Sequence, residues 1–223
     1  MTVEGRETLY RAIRDAVMDE ITAHGIELVQ EQDHDLLVPV SVSARHIHLE
    51  QKHAEILFGK NYTFTKHRDI SQPGQYSCME QVTIVGPKSQ MERVRIVAPL
   101  RKQTQIEISK TDAIKLGVNP PVRHSGDLKG SAPLTVIGPK GNVDLLEGCI
   151  IADRHIHMSP ADAKRFGVVN HQKVKVEIDG EKGGLMYGVT IRVSDRYALD
   201  MHIDTDDANA FGIKGQEYLT LIK

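Results

Sequence analysis

From Leu36 onward the hydrophobic positions fall in short runs rather than long stripes. Runs occur at Leu36–Ser43, Gln81–Val85, Val94–Pro99, Leu134–Ile137, Gly148–Ala152, Lys173–Ile178, Val189–Val193 and Tyr218–Ile222, with Gly and Pro between them. Strands this short and frequent do not suit a doubly wound α/β sheet. They predict a mainly β protein of small barrels or sandwiches with brief helical caps. Ahead of them the pattern changes. Leu9, Ile13, Val17 and Ile21 recur at spacing four, with Arg6, Glu7, Arg11, Arg14, Asp15 and Glu20 on other sides and Gly25 as a stop. This predicts an N-terminal amphipathic helix, joined to the body by the polar connector Gln30–Asp35. Such a helix either packs on its own domain or docks its apolar stripe on a partner protein.

A repeat runs through the β body. Ala-x-x-[Leu/Phe]-Gly appears at Ala113–Gly117, Ala163–Gly167 and Ala208–Gly212, with a copy one residue longer at Ala54–Gly59. Each predicts a two-turn helix stopped by Gly. Ser109 with Asp112, Ser159 with Asp162, and Asp204 with Asp207 predict capping boxes, and Pro160 fits a first helical position. Six residues before each Ala stand His48, Glu107, His157 and His202. Apolar residues flank every one: Ile47 and Leu49, Ile106 and Ile108, Ile156 and Met158, Met201 and Ile203. On a strand, successive side chains alternate faces, so the four polar groups share a facing opposite to buried neighbours. Two positions earlier, on the same face, lie His46, Gln105, His155 and Asp200.

The sequence Arg-His-Ile-His occurs at Arg45–His48 and again at Arg154–His157. Arg101 and Arg196 each stand six residues before the ligand-capable residue of the other two units. The body thus reads as a tandem duplication, Leu36–Gly117 and Gly148–Gly212, with Lys60–Cys78 as an inserted loop in the first half. If each half closes on itself, the first offers His46, His48 and Glu107 to a metal, and the second offers His155, His157 and His202. Three N/O ligands with an open fourth position match catalytic zinc; structural zinc more often takes four ligands with Cys among them. Arg101, beside Lys102 and on the way to Glu107, presents a fork of donors suited to phosphate, and Arg196 is in register to act alike. The turn Arg123–Asp127, including Ser125, carries phosphate-compatible groups.

Composition narrows the classes. The chain has 223 residues, a net charge of −2, 4% aromatic residues and no Trp, which gives nucleic acid neither a basic patch nor a stacking platform. Cys78 and Cys149 form no Cys-x-x-Cys and are expected as free thiols of a cytoplasmic protein. No apolar run approaches the length of a membrane span, and no signal core opens the chain, so a soluble protein without a membrane partner is expected. No Gly-rich phosphate loop or nucleophile elbow is present.

Taken together, Val38–Leu49, Arg101–Ser109, Ala152–Met158 and Met201–Asp204 resemble the phosphate propanoyltransferase family of bacterial microcompartments, the propanediol-utilisation type of phosphotransacylase. The resemblance covers residues 36–223. It implies two pseudo-symmetric β-barrels capped by short α-helices, with two zinc ions at their interface. It also implies an exchanged strand, giving one barrel from 36–45 plus 154–223 and another from 46–153, with 1–35 as helix and linker. The implied activity exchanges an acyl group, propanoyl or acetyl, between coenzyme A and phosphate. His46, His48 and Glu107 would hold one zinc and His155, His157 and His202 the other, with Arg101 orienting phosphate; Ser125, from the turn reading alone, is a further expected substrate contact. The N-terminal helix resembles an encapsulation peptide, which implies microcompartment shell or lumen proteins as partners and a cytoplasmic location inside such a compartment; a homodimer is expected. Two other classes share the ligand pattern: a binuclear zinc hydrolase, and a non-catalytic metal-binding or scaffold protein of the compartment.

Overall fold

The computed structural model describes residues 17, 20, 36–215 and 217–223. The expected N-terminal helix and its docking role fall almost wholly outside the described residues. Among the described residues no helix is long and apolar enough to cross a membrane.

Leu37–Lys223 forms one unit. Its strands are β1 (Leu37–Ser43), β2 (His46–His48), β3 (Lys66–Asp69), β4 (Tyr76–Val85), β5 (Gln90–Ala98), β6 (Gln105–Glu107), β7 (Val122–Arg123), β8 (Ala132–Ile137), β9 (Asn142–Ala152), β10 (His155–Met158), β11 (Lys173–Ile178), β12 (Gly184–Val193), β13 (Asp200–Asp204) and β14 (Tyr218–Ile222). The helices are α1 (Gln51–Phe58), α2 (Lys110–Leu116), α3 (Pro160–Phe166) and α4 (Thr205–Phe211). Each helix directly follows the strand that carries a repeated ligand-capable residue.

Two six-stranded barrels result. One closes in the order β1-β13-β10-β12-β11-β14. The other runs β4-β5-β2-β6-β9-β8, where β8 pairs back with β4; β3 and β7 flank it as extra strands. Both follow one pairing plan. β10 lies parallel to β12 and antiparallel to β13, just as β2 lies parallel to β5 and antiparallel to β6. The chain crosses between barrels at Ser43–Arg45 and again at Ala152–Arg154. Each Arg-His-Ile-His therefore begins where the chain leaves one barrel and enters the other.

The alternation expected of these strands is what fills the barrels. Ile47, Ile106, Ile156 and Met201 are fully buried. Leu49, Ile84, Ile96, Leu116 and Cys149 join Ile47 and Ile106 in one core cluster. Two turns pin helix ends to the second barrel. Lys88 N donates to Leu116 O and Lys140 N to Leu57 O, each at 3.0 Å. Gly86 and Gly138 permit the approach, since a Cβ there would sit 2.3 Å and 2.6 Å from those same carbonyl oxygens.

Three sequence expectations are corrected. Lys60–Cys78 is not simply a loop: it holds β3 and the start of β4, paired antiparallel, and the true turn is Ile70–Gln75. A reciprocal capping box forms only at Ser159 and Asp162. Ser109 and Asp204 still accept from backbone N–H groups of their helices. The reciprocal carboxylates are taken elsewhere, because Asp112 pairs with Arg45 and Asp207 with Arg154. Arg196, expected to match Arg101, lies exposed and outside the cleft.

Candidate functional site: two ligand sets facing one cleft

Register brings each ligand set together. His46 stands opposite Glu107 across β2 and β6, and His155 stands opposite His202 across β10 and β13. Opposed residues on one face of an antiparallel pair are neighbours, and the second His of each motif lies diagonal to them. The ligand-capable atoms of His46, His48 and Glu107 all lie within 4.8 Å of one another, and so do those of His155, His157 and His202.

Backbone carbonyls orient three of the rings. His46 Nδ1 lies 2.9 Å from Ala44 O, His48 Nδ1 3.1 Å from Val97 O, and His155 Nδ1 2.8 Å from Asp153 O. A carbonyl can only accept, so each Nδ1 donates and each Nε2 of the neutral ring keeps its lone pair. A metal-binding imidazole is usually held in this way, its other ring nitrogen donating to a carbonyl that fixes tautomer and orientation. Around the other ligands, Gln105 Nε2 donates to Glu107 Oε1, and Asp200 Oδ2 lies 3.0 Å from His202 Nε2.

Electrostatics point the same way. Burial, then His155, His202 and nearby arginines, lower His157 to about 2. Burial and His202 lower His155 to about 4. Burial, His46 and Arg101 hold His48 well below its ordinary value. Burial works against the Glu107 carboxylate, yet His46, His48 and Arg101 outweigh it and hold the group ionised. Neutral imidazoles and an ionised carboxylate are the protonation states a divalent metal requires. The donor sets, His₂Glu and His₃ with no Cys, fit zinc with open coordination.

Both sets line one cleft of about 590 Å³, together with Arg68, Arg95, Arg101, Ser125, Arg192 and Tyr197. A smaller cavity between the two crossovers touches His46, Glu107, His155 and His202. Ser125 Oγ accepts from Arg101 Nη1 and from Gln105 Nε2, each at 2.8 Å. With both acceptor positions engaged, the Ser125 hydroxyl proton is left to donate. Gln105 Oε1 accepts from Gly126 N at 2.7 Å, which fixes the Ser125 turn against β6. Burial lowers the Arg101 pKa and Glu107 opposes the drop; a guanidinium stays charged at neutral pH regardless.

A family model described as phosphate propanoyltransferase matches residues 39–214. The chain belongs to the phosphate propanoyltransferase family. A phosphate propanoyltransferase of Lachnoclostridium phytofermentans is 49% identical over 214 residues, covering 94% of this chain and all of that one. One of Priestia megaterium is 52% identical over 184 residues, 82% of this chain and 85% of its own. One of Rhodobacter capsulatus is 45% identical over 213 residues, 96% and 98% of the two chains. The match to the family model takes in every ligand-capable residue of both sets, Arg101 and Ser125.

Within this family member the sequence misplaced one arginine and missed another. Arg196 is exposed and does not line the cleft. Arg101 N donates to Leu49 O. The matching bond in the other half is Ser194 N to Met158 O, so Ser194 is the structural counterpart of Arg101. The turn before His202 is two residues longer than the one before Glu107, so counting six back from His202 stops two residues short of Ser194. Arg192 occupies the cleft instead, from a strand position paired with His157. Its guanidinium lies 5.9 Å from the Tyr197 ring centroid, and that ring lies 4.1 Å from His157. The one available signal was period-two alternation, which puts Arg192 on the face opposite to buried Ile191.

Proposed function

We propose that this chain transfers an acyl group between coenzyme A and phosphate, with propanoyl as the favoured acyl group, as the name shared by its relatives suggests. The observation that carries this reading is the convergence of two open ligand sets, two arginines and a hydroxyl donor on one cleft. His46, His48 and Glu107 would hold one zinc ion, and His155, His157 and His202 a second. Bound there, the metals would supply Lewis acidity toward the thioester sulfur and the phosphate oxygens.

The protein's own residues do the rest. Arg101 and Arg192 take the charge of a hydrogen phosphate that would otherwise repel the anionic coenzyme. The Ser125 hydroxyl donates to a phosphate oxygen, and the Arg101–Ser125 bond fixes the two donors relative to each other. Holding the nucleophile against the carbonyl supplies the orientation that a weak oxygen nucleophile needs, and fixed donors stabilise the oxyanion as it develops. The phosphate oxygen bonds to the carbonyl carbon, the C–S bond breaks, and the proton lost by phosphate ends on the thiolate. No acyl-enzyme is required. Cys78 and Cys149 are buried, and burial raises both thiols, to about 11 and about 12. Arg68 and Arg95 supply further positive charge along the cleft for the phosphates of the coenzyme. The N-terminal segment is the part assigned to docking inside a microcompartment.

The test is thiol release from propanoyl-, acetyl- and butanoyl-CoA with and without phosphate, with metal analysis of the same sample. Phosphate-dependent release, fastest with propanoyl-CoA and abolished in a His48→Ala/His157→Ala double variant, is the expected result. Equal release without phosphate would make the protein a thioester hydrolase. Binding of metal with no turnover would make it a metal-binding protein.

A further inference from the structure

The duplication is broken most fully by one hairpin. The first half carries a hairpin, β3 to β4, whose turn Ile70–Gln75 lines the cleft beside residues of the other barrel. The turn is closed on itself, with Gln75 N donating to Gln72 O and Ile70 N to Gln75 O. From it Ser71 and Gln72 reach across, and Gln72 does so most fully; its Nε2 also lies 3.5 Å from His202 Nε2. Gln72 is 2% exposed. Its Nε2 donates to Ala198 O at 3.1 Å, and its Oε1 accepts from Ala198 N at 3.3 Å. The carboxamide therefore satisfies both backbone groups of one residue in the opposite barrel. A carboxamide carries its donor and its acceptor on separate atoms of one planar group, which matches the C=O and N–H of a single residue.

Ala198 sits in the longer turn before His202, next to Tyr197, whose ring packs 4.1 Å from His157. Two residues beyond Ala198 is Asp200, 3.0 Å from His202 Nε2. Ser71, adjacent to Gln72, has its Oγ 3.3 Å from the same nitrogen. The surroundings of two of the three histidines in this set thus depend on a turn that Gln72 holds. Among the described residues the other set shows no such hydrogen bond from across the barrels: His46 and His48 bond to Ala44 and Val97, and Glu107 to Gln105, within their own barrel or crossover.

We propose that Ile70–Gln75 is a strap lent by one barrel to the other, and that Gln72 is a positioning residue. Through Ala198 it fixes the turn that carries Tyr197 to His157 and leads to Asp200 and His202. It supports the His155/His157/His202 set and leaves the His46/His48/Glu107 set untouched. This rests on the reading of both sets as metal sites.

The experiment uses the full chain as wild type, Gln72→Ala, Gln72→Glu, His46→Ala and the double variant Gln72→Ala/His46→Ala. Gln72→Glu keeps size and one acceptor but sets a carboxylate oxygen against Ala198 O. Each protein is loaded with zinc, dialysed against a weak chelator and analysed for metal, and amide exchange is followed across the peptide containing Ala198. Loss of an outer-shell support lowers metal affinity about 10–100-fold. Both Gln72 variants should therefore fall from about two ions per chain to about one, the double variant should hold none, and the Ala198 amide should exchange at least tenfold faster. A variant that merely loosened the whole fold would lose both ions together and would overturn the proposal. Two ions retained by both Gln72 variants, or one retained by the double variant, would also overturn it while leaving the metal reading intact. A wild type that binds no zinc would overturn both.

Discussion

Arg45 grips Asp112 with two parallel hydrogen bonds, Nε to Oδ2 and Nη2 to Oδ1, both at 2.8 Å. Asp112 is the third residue of the helix that follows Glu107. Arg154 repeats the contact with Asp207, 2.8 Å away, on the helix that follows His202. In each half the arginine of Arg-His-Ile-His thus ties one ligand strand to the helix behind the other. Arg45→Ala would leave the buried Asp112 carboxylate without its partner. A cost of about 1–3 kcal/mol is expected, read as a lower thermal midpoint, and Arg45→Lys should recover only part because one ammonium cannot replace a fork.

Gly86 and Gly138 should tolerate no side chain. A methyl at either meets a backbone carbonyl that is itself bonded to the turn. Gly86→Ala and Gly138→Ala are each expected to destabilise by about 1–3 kcal/mol through overpacking. Gly126→Ala is the control, with nothing within 4 Å of its added Cβ but a left-handed backbone; its cost should be smaller. Chemical denaturation of the three variants measures this.

Arg101 and Arg192 are expected to act on phosphate. Losing a charge-assisted bond costs about 1.5–3 kcal/mol, or roughly 10–100-fold. Arg101→Ala and Arg192→Ala should raise KM for phosphate by about that factor and change KM for acyl-CoA less. Arg196→Ala should alter neither. Initial rates over a phosphate series decide between them, and an unchanged phosphate dependence in Arg101→Ala would remove it from the site.

The two thiols predict an alkaline limb of stability. Cys149 and Cys78 titrate at about 12 and about 11 in the folded chain, against an ordinary 9.0. Above pH 9 the unfolded chain loses these protons first, so it binds fewer than the native state, and stability falls with rising pH. The fall should run from about pH 9 toward the folded values and disappear in a Cys78→Ala/Cys149→Ala variant. At pH 8 neither thiol should react with a disulfide reagent until denaturant is added.

What could be read from the sequence and what could not divide along a physical line. His46, His48, Glu107, His155, His157 and His202 were legible because strand period fixes facing. Their apolar neighbours Ile47, Ile106, Ile156 and Met201 are indeed buried. The helices were legible because a left-handed Gly ends three of them, at Gly117, Gly167 and Gly212. Arg192 was hidden because the duplication does not repeat it. Val97, whose carbonyl meets His48, stands where Arg192 stands beside His157. Gln72 was hidden for the same reason, since it lies on the one segment that the second half lacks. Repeats expose what two halves share, and conceal whatever makes them differ.

The crossovers at Ser43–Arg45 and Ala152–Arg154 carry a consequence for where such a molecule could come from. A chain of half this length, ending after its own helix and strand, could not close a barrel with its first strand pointing away. Two such chains could, by trading those strands around a twofold axis. Each would then bring one ligand set to the shared seam. A single fused chain frees the halves from that symmetry: one set can take a carboxylate where the other takes imidazole, and one barrel can grow a hairpin whose turn braces its neighbour.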